Sequence, residues 1–258
     1  MNPILELKDV VKSYGSGETE VRALTDVSLE VGAAEFVALR GPSGCGKSTL
    51  IHLAGGLEEP SAGRVAVDGR DVGSRTPAER AQLRRRDIGY VFQRLNLVPA
   101  LTALENVMLP LELDGVPRRE ALALAKDALA AVQLDVRLDR YPDDFSGGQQ
   151  QRIAIARAIV GPRKLVLADE PTGSLDTQTG DRVIELLASL PSERGTAVVL
   201  VTHEPRYAAW ANRVVSMRDG RIVGVSEAPA LSAEDVEVPP GAARPRRAAR
   251  VGSARRPR

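Results

Sequence analysis

The chain has 258 residues, with 35 Lys and Arg against 34 Asp and Glu, and a net charge of +1 offers no global attraction for nucleic acid or an acidic substrate. Hydrophobic residues at 43% and charged ones at 27% fit a folded globular protein of one large or two small domains, and exclude a disordered chain. Aromatics at 3% leave the core to Leu, Val, Ile and Ala, and no run approaches the roughly 18 apolar residues of a membrane helix.

In chain order, short β-type runs occupy residues 4–8, 36–40, 64–67 and 88–92. Residues 97–160 hold no convincing strand. Pro117 opens a helix there in which Leu122, Ala125, Leu129 and Val132 share one face. A second helix runs from Ser146 to Val160 and stops at Gly161-Pro162. Strand-like runs return at 165–169, 197–202, 214–217 and 222–225. The unbroken apolar character of 165–167 and 198–201 indicates central parallel strands covered on both faces. The expectation is an α/β sheet carrying a helical insertion over about residues 95–160. From about Glu227 the chain is rich in Ala, Pro and Arg, and after Gly241 it has seven arginines and no acid; it reads as a disordered tail over 229–258.

The strand at 36–40 leads into Gly41-Pro42-Ser43-Gly44-Cys45-Gly46-Lys47-Ser48-Thr49 and then a helical run from Leu50. This is the phosphate-loop pattern G-x-x-x-x-G-K-[ST] in its strand–loop–helix setting. Glycines let backbone N–H groups turn inward around a polyphosphate, and the helix start adds free donors and a positive dipole end. Lys47 supplies a mobile charge for the outer phosphates, and the Ser48 hydroxyl suits Mg2+. A plain Gly/Ser turn is the bland alternative; the full pattern in its proper context argues against it. Cys45, the only cysteine, reads as a spacer in a reducing compartment.

The apolar run 165–169 ends in Asp169-Glu170. Alternation along a strand sends neighbouring side chains to opposite faces, so two roles are expected. Asp169 suits the Mg2+ shell through water, and Glu170 the attacking water as base or orienter. His203 follows the run 197–202 at what should be the same sheet edge, where it would contact the terminal phosphate or the water. Gln93, ending the run 88–92, is a candidate for metal and water; His52 reads as packing or solvent-facing. Taken singly, two strand-end acids, a histidine and a glutamine are ordinary structural residues. The complete phosphate loop gives them weight.

Ser146-Gly147-Gly148-Gln149 makes a second anion-ready helix start, with a serine cap and two glycines. No lysine or metal-binding acid accompanies it, so it completes a site whose other half lies elsewhere, on this chain or another. A well-capped helix is the bland alternative.

Phe145-Ser146-Gly147-Gly148-Gln149-Gln150-Gln151-Arg152 resembles the signature of the ATP-binding cassette (ABC) family. Tyr14, the loop 41–49, Gln93, Asp169-Glu170, Gly173-Ser174-Leu175-Asp176 and His203 follow the family's order, over roughly residues 4 to 226. The resemblance implies a P-loop NTPase cassette: a mixed-sheet core, a small antiparallel β subdomain and a helical insertion, all within 1–228. It implies an ATPase in which two cassettes pair head to tail around ATP. Ser146, Gly148 and Gln149 of one copy would then touch the γ-phosphate held by the other. Tyr14 would stack on adenine. Asp176 would lie at the dimer seam. Gln93 would pass the state of the γ-phosphate to the insertion, which docks on a membrane permease.

The stretches 88–93, 96–102 and 105–107 are similar to the branch serving lipoprotein release, macrolide export and cell division. Phe145 replaces the usual leucine, Ala33-Ala34 the familiar glycine before Glu35, and Arg40 an apolar strand end; a buried cation at 40 would need a partner. The competing class is a soluble ABC ATPase acting on nucleic acid or ribosomes. One cassette and no sustained heptads favour the transporter, with no specific nucleic acid expected. The start, Met1-Asn2-Pro3-Ile4-Leu5-Glu6, lacks a secretory layout, so a cytoplasmic protein, peripheral on the membrane, is expected. The arginine-rich tail is read first as solvated and dispensable, and otherwise as a contact for anionic lipid or a nonspecific one for nucleic acid.

Overall fold

The computed structural model describes residues 3–134 and 137–227. The readings made for residues 229–258 lie outside these described residues.

Two sheets form the frame. The smaller one is antiparallel: β1 (Leu5–Tyr14), β2 (Val21–Val31), β4 (Ala62–Val67) and β5 (Arg70–Asp71) take the order β2-β1-β4-β5. The larger holds β3 (Phe36–Arg40), β6 (Ile88–Val91), β7 (Leu165–Asp169), β8 (Ala197–Val201), β9 (Arg213–Arg218) and β10 (Arg221–Glu227), in the order β10-β9-β3-β8-β7-β6. All its pairs are parallel except β10 with β9, so the sheet is mixed, as expected.

Alternation along the central strands explains why they read as unbroken apolar runs. Phe36, Ala38, Val166, Ala168, Val198 and Leu200 enter one core; Val37, Leu39, Leu165, Leu167, Val199 and Val201 enter the other. The first core is closed by α3 (Ala103–Leu113), α4 (Arg118–Ala131), α5 (Gly147–Ile159) and α6 (Thr177–Arg194). The second is closed by α1 (Lys47–Ala54) and the antiparallel sheet. Burying a Leu, Val or Ile fully stabilises by about 1.5–3 kcal/mol, so this double-sided strand core is the main source of cohesion.

The helices carry the start signals that their sequences write. α2 (Pro77–Arg86) and α3 each open with a capping box, Thr76 with Glu79 and Thr102 with Glu105. α4 begins directly after Pro117 and buries Ala125 and Leu129, with Val132 buried just beyond it; Leu122 is only partly buried. α7 (Pro205–Ala208) is a single short turn after β8. Where α5 crosses β6 the backbones nearly touch. A Cβ placed on Gly89 would stand 1.9 Å from the Ala158 carbonyl oxygen, so only glycine admits this approach.

Arg40 is half-buried rather than buried, so its guanidinium keeps access to water. The expected need for a partner therefore lapses, and no ion pair among the described residues engages it. No helix of the described residues is long and apolar enough to cross a membrane.

Candidate nucleotide site

Parallel pairing brings the carboxyl ends of β3, β8, β7 and β6 to one edge. Leu39 pairs with Val201, and Val201 with Asp169, so the phosphate loop, His203 and the acid pair leave the sheet from one row. Open α/β sheets bind ligands at such an edge.

The loop from Gly41 to Gly46 joins β3 to α1. Gly46 has φ 99°, and a Cβ there would meet the Ala23 carbonyl oxygen at 2.5 Å, which fixes the loop against β2. The Lys47 ammonium donates to the carbonyls of Gly41 and Pro42 at 2.9 and 2.8 Å, folded back over the loop it serves. Its side chain is largely buried, and Cys45 is buried beside it. Pro42, Ser43 and Gly44 are exposed, while Gly41, Gly46, Ser48 and Thr49 are half-buried.

Asp169 is 4% exposed at the end of β7. Burial raises its pKa above the ordinary carboxylate value and the neighbouring Glu170 charge adds to this, while a hydrogen bond from Ser48 and the charges of His52 and Lys47 pull the other way; the net shift is upward. A serine hydroxyl and a buried carboxylate therefore converge, two hard oxygen donors of the kind Mg2+ takes alongside phosphate oxygens and water. No cluster of three or more His, Cys, Asp or Glu suited to a metal occurs among the described residues.

The acid pair does not follow simple strand alternation. β7 stops at Asp169, and Glu170 has φ 48°, so it is the first turn residue and not the next strand position. Its N–H still donates to the Val201 carbonyl at 3.1 Å, and its own carbonyl accepts from Gly173. This unusual backbone turns the half-buried Glu170 carboxylate toward the end of β8, where its Oε1 lies 3.6 Å from Nδ1 of the exposed His203.

Gln93 is exposed, two residues beyond β6, which ends at Val91 and not at 92. The loop after it is tied down by residues whose part the sequence did not disclose. Arg157 on α5 donates to the carbonyls of Asn96 and Leu95 at 2.7 and 2.8 Å. Asn106 on α3, wholly buried, accepts from the Val98 N–H and donates to the carbonyls of Val98, Leu101 and Thr102. In the sequence Asn106 stands out only through the family resemblance, and its burial shows why an amide is needed there.

Ser146 caps α5. Its Oγ accepts from the Gln149 N–H, and the Gln149 Oε1 accepts from the Ser146 N–H at 2.9 Å. Ser146 is exposed and Gly148 and Gln149 half-buried; Gly148 lies beside Leu175. No hydrogen bond or ion pair among the described residues joins Ser146–Gln149 to the loop 41–49. Asp176 is exposed and caps α6 by accepting from the Thr179 N–H at 3.0 Å. Tyr14, at the end of β1, is 40% exposed and donates its hydroxyl to Glu58 at 2.7 Å. His52 is half-buried and bonds Glu58 as well.

Residues 24–173 match the family described as ABC transporter. An uncharacterized ABC transporter ATP-binding protein of Thermotoga maritima is 48% identical over 87% of this chain and 96% of its own. The lipoprotein-releasing system ATP-binding protein LolD of Geobacter metallireducens is 48% identical over 86% of this chain and 99% of its own. The macrolide export ATP-binding/permease protein MacB 1/2 of Paracoccus denitrificans is also 48% identical over 86% of this chain, which spans only 33% of that longer protein. Among solved structures, the dimeric post-hydrolysis state of the cassette MJ0796 bound to ADP and Pi matches with TM-score 0.82 and 39% identity, over 87% of this chain and 99% of that one. These relatives favour a transporter subunit over an ATPase acting on nucleic acid or ribosomes. The chain thus belongs to the ABC transporter ATP-binding family, as an ATP-binding and ATP-hydrolysing subunit.

Proposed function

We propose that two copies of the chain pair head to tail and hydrolyse MgATP at composite sites, each using residues 41–49 of one copy and Ser146, Gly148 and Gln149 of the other. One observation carries this reading. Lys47, Ser48, Asp169, Glu170 and His203 gather at one sheet edge, while the anion-ready start of α5 has no lysine or acid of its own and makes no bond to them among the described residues. A second copy supplies what each half lacks.

Within that site the backbone N–H groups of Gly41, Ser43, Gly44, Cys45, Gly46 and Thr49 cradle the phosphates, and Lys47 swings from the loop carbonyls onto their charge. Ser48, Asp169 and Gln93 would hold Mg2+. Bound there, Mg2+ would neutralise charge on the transferred phosphoryl group. Glu170 takes a proton from the attacking water, and His203 orients it against the γ-phosphate. Tyr14 stacks on the base, and Asp176 meets the partner copy at the seam.

The working unit is residues 1–228, and its helical insertion, about 95–160, docks on an integral membrane permease. Similarity to LolD and MacB supports a partner of the lipoprotein-release or macrolide-export kind, with the chain peripheral on the membrane's cytoplasmic face. The arginines of 229–258 give an anionic membrane surface an attraction of about 1 kcal/mol per basic residue near it. Sedimentation with anionic vesicles, with and without residues 229–258, tests that contact.

Mixing two inactive variants tests the composite site. Lys47→Ala disables one half and Ser146→Asp the other, so each alone should be inactive. Mixed, they form hybrid pairs with one intact site, and ATP hydrolysis should reappear; no recovery would exclude head-to-tail sharing. Purification from native membranes then identifies the permease.

A further inference from the structure

Away from the phosphates, one carboxylate gathers donors from two separate elements. Glu58, in the turn after α1, accepts the Tyr14 hydroxyl on Oε2 at 2.7 Å. Lys12 Nζ lies 3.1 Å from the same oxygen, and His52 Nδ1 is 3.2 Å from Oε1. Lys12 is itself held by the Glu59 carbonyl at 2.8 Å, and its ammonium stands over the Tyr14 ring, 5.0 Å from the centroid. Burial alone would raise the Glu58 carboxyl, but the bonds from Tyr14, Lys12 and His52 outweigh it and hold it below the usual range. At neutral pH it is a fixed, charged acceptor.

We infer that Glu58 is a positioning residue for nucleobase binding: it holds Tyr14 by the hydroxyl, with Lys12 covering one ring face, so that the other face is ready for a base. This rests on the assignment of Tyr14 to the nucleobase. The physical ground is the cost of ordering. A ring at an exposed strand end samples several orientations, and stacking selects one. A hydrogen bond at one end and a cation over one face remove most of that freedom before the ligand arrives. Lys12 and His52 do for Glu58 what Glu58 does for Tyr14. The competing account is a surface ion cluster that merely joins β1 to α1.

Calorimetric titration of the full chain with ADP separates the two, because ADP binds without turnover. Tyr14→Ala should weaken ADP clearly. If it does not, the assignment of Tyr14 falls, and this inference with it. Given that loss, Glu58→Ala should weaken ADP by about three- to tenfold, the worth of one immobilised side chain. Glu58→Gln should recover most of it, since the amide oxygen still accepts from the Tyr14 hydroxyl. In a Tyr14→Ala background, Glu58→Ala should add nothing. A Glu58→Ala variant that binds ADP as the parent does, or that loses the same factor without Tyr14, overturns the positioning role and leaves Tyr14 untouched.

Discussion

Glu170 Oε1 and His203 Nδ1 lie 3.6 Å apart, across the ends of two neighbouring strands. Reaching that separation takes a left-handed backbone at Glu170, so the sheet does not give it for free. Glu170→Gln keeps the shape and removes the base. ATP should still bind, while hydrolysis falls by about 10²- to 10³-fold. Phosphate release checks the rate, and size-exclusion chromatography with ATP should show accumulated dimer. Turnover near that of the parent would refute the role given to Glu170.

Asp169 sets stability against function. Its folded pKa lies above 3.8, chiefly through burial, so the folded chain holds the proton longer than the unfolded one. That contribution is fully present below 3.8 and fades as pH rises through the raised value, leaving a charged, buried carboxylate that costs stability at neutral pH. Asp169→Asn should therefore raise Tm of the nucleotide-free chain at pH 7 while abolishing hydrolysis. Thermal scans at pH 7 read the first effect and phosphate release the second. A lowered Tm would mean that the Ser48 bond outweighs desolvation.

Ser146 has a structural duty as a cap and a proposed functional one, and two substitutions separate them. Ser146→Ala loses the cap, at a cost of about 1 kcal/mol. Ser146→Asp caps about as well as serine but sets a negative charge where the partner's phosphate is proposed to sit. Denaturant unfolding should rank Asp near the parent and Ala below it. In a Glu170→Gln background, ATP-driven pairing followed by analytical ultracentrifugation should be lost most completely with Asp. Pairing that tracks stability instead would reduce Ser146 to a cap.

Gly89→Ala forces a methyl onto backbone atoms, 1.9 Å from the Ala158 oxygen and 2.8 Å from its carbon. Neither flank can step aside as a side chain would, so a loss of about 3 kcal/mol is expected. Gly147→Ala is the control: its Cβ would meet nothing within 4 Å, and alanine favours the helix, so stability should hold or rise slightly. Chemical denaturation of both variants measures the contrast.

What the sequence disclosed was local. The loop 41–49 announces itself because its donors, charge and helix start are contiguous. The same holds for the runs that became β3, β7 and β8, buried on both faces. In β2 the positive φ of Asp26 interrupts the ladder and leaves strict alternation only over Val27–Val31, too short a run to stand out in the sequence. α3 and α6 each carry an internal proline, Pro110 and Pro191, and neither was recognised. The bonds from Glu58 to Tyr14 and from Arg157 to Asn96 span 44 and 61 residues, and no pattern in a single chain announces a partner that far away. Glu170 shows the limit best: strand alternation predicts opposite faces for the two acids, whereas a turn at Glu170 is what parts them.

The contact of Gly89 with Ala158 makes α5 a lever with its fulcrum near one end. Ala158 lies twelve residues from Ser146, about 18 Å along a helix. A tilt of about 6° at that fulcrum swings the far end by about 2 Å, the difference between a hydrogen bond and none. β6, which carries the fulcrum, leads directly to Gln93, and Arg157 grips the loop just beyond it. Sub-ångström adjustment where β6 ends would thus reappear, magnified, at the opposite tip of the helix.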